Sequence, residues 1–278
     1  MKKAQSVALI GAGKLSGSPV SEFWRLSDRL GPVKAPSFRL ASRIANSLRA
    51  GHPVRDYAEF DSCRLILVSV PDATLPTVIG EIATANICWR NKSIVLCSAL
   101  LDSGELNDLA SRGASIGSIS VIPGFEDPHY LLEGDPLAIL ESKRLVQHAA
   151  RRTVAIQRSL KPFYLAALTS TGSLLFALLM AASESLRQAG ISKSMSATIL
   201  EKQLHRTLRS HVKAGRKASS APHQLQQQLR ALATADPELA HYLEQSTNLA
   251  ARLLARQTVT PIESPFGALH PARARVHP

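Results

Sequence analysis

The chain has 278 residues, 45% of them hydrophobic, which is enough to bury one large core or two modest ones and excludes a wholly disordered chain. The formal charge of +12 is unevenly spread: residues up to 150 hold 16 basic and 15 acidic side chains, while the remainder holds 17 and 6. That asymmetry predicts two domains, the second cationic and able to attract a polyanion such as nucleic acid, a membrane surface or a phosphorylated metabolite.

Lys2 and Lys3 precede an apolar run as a secretory leader would begin, but Gly11, Gly13, Lys14 and Gly17 interrupt it, so Val7 to Ile10 reads as a buried first strand. A helix is predicted from Lys14 to Leu30, with Leu15, Val20, Phe23, Trp24 and Leu26 at helical spacing. Leu65 to Val70 is a second continuous apolar run, stopped by Pro71 and Asp72 and followed by a helical segment from Leu75 to Ala85. Ser93 to Cys97, Ile116 to Ile122 and Leu137 to Leu140 are further predicted strands, with a polar and apolar segment from Ser103 to Ser111 after the first. Val154 to Ile156 is predicted as a last edge strand. Unbroken apolar runs alternating with helices predict an α/β fold, a doubly wound and mostly parallel Rossmann-like sheet covered on both faces.

Beyond residue 160 the pattern is all-helical. Leu160 to Gln188 is rich in Leu and Ala and stops at Gly190, and Ser194 to Lys213, Pro222 to Thr234 and Pro237 to Arg256 each carry helical spacing. Leu165 to Ala182 lacks charge and is long enough to span a bilayer, but its Thr, Ser and Gly content favours a buried core helix over a membrane span. The predicted division is a dinucleotide-binding domain over 1–159, a helical domain for substrate or dimerisation over 160–262, and a mobile tail over 263–278.

The string VALIGAGKLSGS at Val7 to Ser18 carries most of the functional signal. A strand turning into a helix through Gly11 and Gly13 lets a pyrophosphate approach the backbone, and the helix N-terminus offers free N–H groups, so Gly11, Ala12, Gly13, Lys14, Leu15 and Ser16 are the predicted phosphate-binding turn. The bland alternative is a structural turn in an emptied nucleotide fold, since Ser16 stands where a full fingerprint has a third glycine. Near the second strand, KAPSFRLASR offers Ser37, Arg39 and Arg43 rather than an acid for a ribose hydroxyl, which favours NADP over NAD. Surface arginines on the next helix are the alternative. Val70 and Pro71 in SVPD and Ser98 in CSAL end strands at the carboxyl edge, where ligands of open α/β sheets bind. Cys97 reads as a buried structural thiol rather than a nucleophile, because no basic residue accompanies it. Cys63, Cys88 and Cys97 cannot form a closed set of pairs, which fits a reducing cytoplasm. Neither CxxC nor HExxH occurs, nor a P-loop, so metal and NTPase templates lack their starting residues. The basic stretch Lys202, His205, Arg206, Arg209, His211, Lys213, Arg216 and Lys217 has no interleaved aromatics, so nucleic-acid binding is not expected.

On the first-strand glycines, SVPD, the Cys-Ser of LCSAL, GSISVIPGFEDP, Tyr164 and the helix ending QAGI, the chain resembles, over about residues 5–256, a family of NADP oxidoreductases. Its members join a Rossmann-like domain to a helical domain similar to that of 6-phosphogluconate dehydrogenase, and pyrroline-5-carboxylate and ketopantoate reductases are more distant relatives. The resemblance implies an NADP cofactor with its nicotinamide in an interdomain cleft near Pro71 and Ser98, a small-molecule substrate in that cleft, a homodimer and no membrane association. The chain departs from the family where Leu96, Ser120, Val121, Leu165, Gly172 and Ser173 replace its histidines and polar residues. No catalytic residue is thereby assigned: Tyr164 and Ser120 are the remaining donors for the proton that hydride transfer requires. The alternative function is a non-catalytic descendant that senses a ligand or binds a protein partner.

Overall fold

The computed structural model describes residues 7–12, 20, 23, 29–146, 152–214 and 222–256. The chain separates into two compact units, one ending at Gly172 and the other starting at Ser173.

The first unit is built on an eight-stranded sheet: β1 (Val7–Gly11), β2 (Leu30–Lys34), β3 (His52–Pro53), β4 (Leu65–Ser69), β5 (Ser93–Leu96), β6 (Ser115–Ile122), β7 (His129–Gly134) and β8 (Thr153–Ala155). Their spatial order is β3-β2-β1-β4-β5-β6-β7-β8. Every pairing is parallel except β6 with β7. Alternate residues of one strand enter opposite cores: Val7, Leu9, Leu65 and Leu67 pack on one face, Ala8, Ile10, Ile66 and Val68 on the other. Both faces of the central strands are therefore dry, which is why β1 and β4 read in sequence as unbroken apolar runs. Helix α1 (Phe38–Leu48) and helix α4 (Pro136–Leu145) contribute Ala41, Ile44, Ala138 and Leu145 to the first core. Helices α2 (Leu75–Thr84) and α3 (Asn107–Ala110) contribute Leu75, Ile82 and Leu109 to the second. This is the doubly wound α/β fold expected, with the 3-2-1-4-5-6 order of dinucleotide-binding sheets followed by an antiparallel addition.

Two expectations on this unit are corrected. Leu137 to Leu140 is not a strand but lies inside α4, because Pro136 occupies the first helical turn, where its missing N–H costs nothing, and Ala138, Ser142 and Leu145 then form the buried stripe. A four-residue apolar run is ambiguous between the two structures, and the strand lies just before it, in β7, where Tyr130 to Leu132 are buried. Gly134 closes that strand at φ +125°, and a Cβ there would stand 2.3 Å from the Ile116 carbonyl oxygen, so only glycine lets β7 end against β6. The helix expected over 14–30 falls mostly outside the described residues, but its last residue, Leu30, begins β2.

The long apolar segment is α-helical over α5 (Lys161–Thr169), winds as one π-helical turn over Ser170–Leu174, and continues as α6 (Leu175–Gln188). The hydroxyls of Ser170 and Thr171 bond back to the carbonyls of Ala166 and Ala167 at this turn, a pattern that loosens a regular helix. The second unit continues with α7 (Lys193–Ala214), α8 (Pro222–Ala235) and α9 (Pro237–Arg256). Asp236 starts α9 by accepting the Leu239 N–H at 2.9 Å. The expectation of a buried core helix is overturned: Arg158–Gln188 is long and apolar enough to cross a membrane, and its most apolar 18-residue window has no buried residue. Phe163, Leu174, Phe176 and Met180 are all more than half exposed. The predicted tail over 263–278 lies outside the described residues.

Candidate functional site

The strand order reverses between β1 and β4, and parallel α/β sheets open a crevice there at the carboxyl ends of the strands. A cavity of ≈ 190 Å³ lies at this point. Ile10, Gly11 and Ala12 line it from β1, Lys34, Ala35 and Pro36 from the end of β2, Val70 from the end of β4, and Thr74, Thr77, Val78 and Glu81 from the start of α2. Its floor is apolar and its rim polar, as small-molecule seats are. Ala12 N–H donates to the Ser69 carbonyl at 3.2 Å, which fixes the chain as it leaves β1. A Cβ on Gly11 would meet Ile44 Cδ1 at 2.9 Å, so this glycine has a packing reason of its own: it lets α1 close onto the end of β1. Gly13, Lys14, Leu15 and Ser16, the rest of the expected phosphate turn, lie outside the described residues.

Tyr57 completes the rim. Its hydroxyl donates to Glu81 Oε2 at 3.1 Å, and Lys34 Nζ stands 5.2 Å from its ring centroid. Burial, reinforced by the Glu81 carboxylate, pushes the Tyr57 hydroxyl well above its usual range, so it remains a donor. Lys34 Nζ also donates to the Ala35 carbonyl at 3.1 Å. Lys34 is the last residue of β2, where an acid would hold a ribose diol, and it was not singled out from the sequence. Its signal was a lone charge after an apolar run.

Ser37 caps α1, its Oγ accepting the Leu40 N–H at 3.2 Å. Arg39 is exposed in the first turn of α1, and Arg43 one turn further on. The Arg55 guanidinium lies 4.8 Å from the Phe38 ring centroid. Two arginines and a capping serine thus surround a helix N-terminus adjoining the Pro36 wall of the cavity, a setting with net positive potential.

Pro71 is exposed and Val70 is 9% exposed at the end of β4. Ser98 is buried and committed: Oγ donates to Asp72 Oδ1 at 3.2 Å and accepts the N–H groups of Leu100 at 3.2 Å and Leu101 at 3.0 Å. It shapes the turn after β5 and joins that turn to the one after β4. Cys97 is buried and burial alone drives its thiol far up, as a structural thiol requires. Cys63, Cys88 and Cys97 are free. Among the described residues no cluster of His, Cys, Asp and Glu could hold a metal.

A polar cluster beside this turn was not legible in the sequence. Lys161, only 1% exposed at the start of α5, donates to the Leu101 carbonyl and to Ser118 Oγ at 2.9 Å. Glu133, also 1% exposed, accepts from Ser103 N–H and from Ser103 Oγ, each at 2.7 Å. Ser118 and Glu133 face each other across β6 and β7. Burial lowers the Lys161 ammonium from its usual value, and the carboxylates of Glu133, Asp102 and Asp72 oppose that shift. One turn along α5, Tyr164 has its hydroxyl buried without a hydrogen-bond partner among the described residues. Burial raises that hydroxyl as well. A single Lys before Pro162 reads in sequence as an ordinary helix start, which is why the cluster was missed.

Neither a family model nor a curated protein matches the sequence. Solved structures do match its fold. A candidate NADP oxidoreductase from Bacteroides fragilis superposes with TM-score 0.68 at 15% identity, over 92% of this chain and 100% of its own. An imine reductase variant from Myxococcus stipitatus in complex with NAD+ gives 0.65 at 16%, over 91% and 98%. A reductive aminase from Aspergillus terreus in complex with NADPH and ethyl levulinate gives 0.60 at 16%, over 90% and 94%. At such identities the match is one of fold: the chain has the α/β sheet and helical unit of these proteins.

Proposed function

We propose that the chain is an NADP-dependent oxidoreductase acting on a small metabolite. The observation that carries this reading is the ≈ 190 Å³ cavity at the reversal of strand order, with Gly11 on one side and Val70 on the other. The residues present suit the adenosine end of NADP: an apolar floor for the base, and Lys34, Ser37 and Arg39 in place of the acid that would select an unphosphorylated ribose. Bound there, the cofactor would supply the hydride; the chain's part is to orient it and to provide the proton. The protein is further proposed to act in the cytoplasm, in keeping with three free cysteines, and as a homodimer joined through its helical unit, whose Leu174, Phe176 and Met180 are uncovered in the single chain.

Thermal-shift titration tests the reading. NADPH at 100 times its dissociation constant is expected to stabilise the protein by about 2.7 kcal/mol, and NADH at the same concentration by less. The Arg39→Ala variant should lose that preference. No shift with either nucleotide would reject a dinucleotide site, and equal shifts that Arg39→Ala leaves unchanged would reject the 2'-phosphate assignment. A second reading, a nucleotide-binding module without catalysis, draws on the full commitment of Ser98 to the turn after β5. Binding of NADPH without turnover of any substrate would favour it.

A further inference from the structure

Resting on the dinucleotide reading, we infer that the Tyr164 hydroxyl is the catalytic proton donor and that the substrate is a ketone or aldehyde rather than an imine. The inference starts from an imbalance in hydrogen bonding. Tyr164 Oη is sealed from solvent yet has no partner among the described residues, although a buried donor is nearly always paired. A group left unsatisfied inside a protein is one for which a ligand can supply the acceptor.

Its location supports that role. Tyr164 lies three residues after Lys161 on α5 and hence on the same side of the helix. Lys161 fastens that helical turn to the Leu101 carbonyl, in the loop after β5, and to Ser118 of β6. In the sheet's register Ile10, Val68, Leu96 and Ser118 form one row across β1, β4, β5 and β6. Ser118 is therefore three strand spacings, about 14 Å, from the end of the nucleotide cavity at Ile10. A dinucleotide whose adenosine end occupies that cavity and which runs along the carboxyl edge toward β5 brings its reactive end to the Lys161 and Tyr164 turn.

The chemistry of these groups selects the substrate. When NADPH delivers hydride to a carbonyl carbon, the C–H bond forms, the π pair moves to oxygen, and the resulting alkoxide takes the phenolic proton. NADPH loses its C–H bond and becomes NADP+, and the phenolate left behind recovers a proton from water that enters as the product departs. An alkoxide is far more basic than a phenolate, so this transfer runs downhill even with the phenol raised above its usual value by burial. An imine needs its proton before hydride arrives, and a buried phenol is too weak an acid to supply it. The Lys161 ammonium on the same helix face also favours a developing oxyanion and opposes an iminium cation.

The test compares the wild-type protein with Tyr164→Phe, using cyclopentanone against 1-pyrroline and cyclohexanone against 2,3,4,5-tetrahydropyridine as matched probes, with NADPH oxidation as readout. The wild type is expected to prefer the ketone of each pair. Tyr164→Phe should lower kcat by about 100-fold or more, the usual effect of removing a general acid. Its NADPH affinity and Tm should stay at or above the wild-type values, because the deleted hydroxyl has no partner among the described residues. Preference for the imines overturns the inference, as does a kcat in Tyr164→Phe within threefold of wild type. Absence of turnover of all four probes by a protein that binds NADPH also overturns it. Failure of the wild type to bind NADPH instead refutes the dinucleotide reading on which it rests.

Discussion

Replacing Lys161 by Met tests the buried cluster most directly. The substitution keeps an unbranched side chain of similar length but removes an ammonium that is 1% exposed and donates to the Leu101 carbonyl and Ser118 Oγ. Bonds from a charged donor contribute roughly 1.5–3 kcal/mol each, which bounds the loss at about 3–6 kcal/mol. Release of the ammonium from its unfavourable burial offsets part of this, leaving an expected loss of about 3 kcal/mol. The two tryptophans, Trp24 and Trp89, both precede Gly172, so intrinsic fluorescence reports the α/β unit alone. With a urea m-value of roughly 2 kcal/mol/M, the midpoint should fall by about 1.5 M. Lys143→Met, on the exposed surface of α4, serves as the control and should not move the midpoint. If Lys161→Met unfolds within about 0.3 M of wild type, the cluster does not hold α5 to the sheet and the reasoning fails.

Other outcomes follow from the same geometry. Because burial holds the Lys161 ammonium below its usual 10.5, the folded chain binds fewer protons than the unfolded chain between the depressed value and 10.5. Stability should therefore rise with pH across that alkaline window, and denaturation of Lys161→Met over pH 7 to 10 should show the rise abolished; an identical rise in both proteins would disprove it. Gly11→Ala forces a Cβ to within 2.9 Å of Ile44 Cδ1 and should cost about 1–3 kcal/mol by overpacking. Adding Ile44→Val removes that methyl and should recover most of the loss relative to Ile44→Val alone, a coupling that a double-mutant cycle in urea measures; strict additivity would locate the requirement elsewhere. Ser37→Ala removes the cap of α1 and should lower stability by about 1 kcal/mol. Thermal shifts of that variant should also show NADPH binding weakened more than NADH binding, and equal weakening would separate the cap from the phosphate.

The parts of the fold legible in sequence are those whose local pattern has a single solution. β1 and β4 are unbroken apolar runs because both of their faces are dry, and α9 was read with its observed ends because Pro237 opens it and its apolar spacing persists to Arg256. The failures have physical causes. Leu137 to Leu140 is too short to declare a period, and its type was set by Pro136 instead. The apolar stretch after residue 160 was read as core, but composition says only that a surface prefers to be covered, not that this chain covers it. At the candidate site, Gly11, Ala12 and Val70 stand out by local pattern and line the cavity. Tyr57 meets Glu81, Lys161 meets Ser118 and Glu133 meets Ser103 only through the fold, and nothing in their own neighbourhoods marks them.

The first edge of the sheet is closed by a strand of only two residues, His52 and Pro53. Proline has no amide proton to offer to a further strand, and so brief a strand gives an incoming one little to align with. Growth of the sheet by annexing a neighbouring molecule is blocked on that border, whatever the protein concentration. The opposite border ends in Thr153 to Ala155, where Val154 is 48% exposed, so any runaway polymerisation on heating or partial unfolding should begin there.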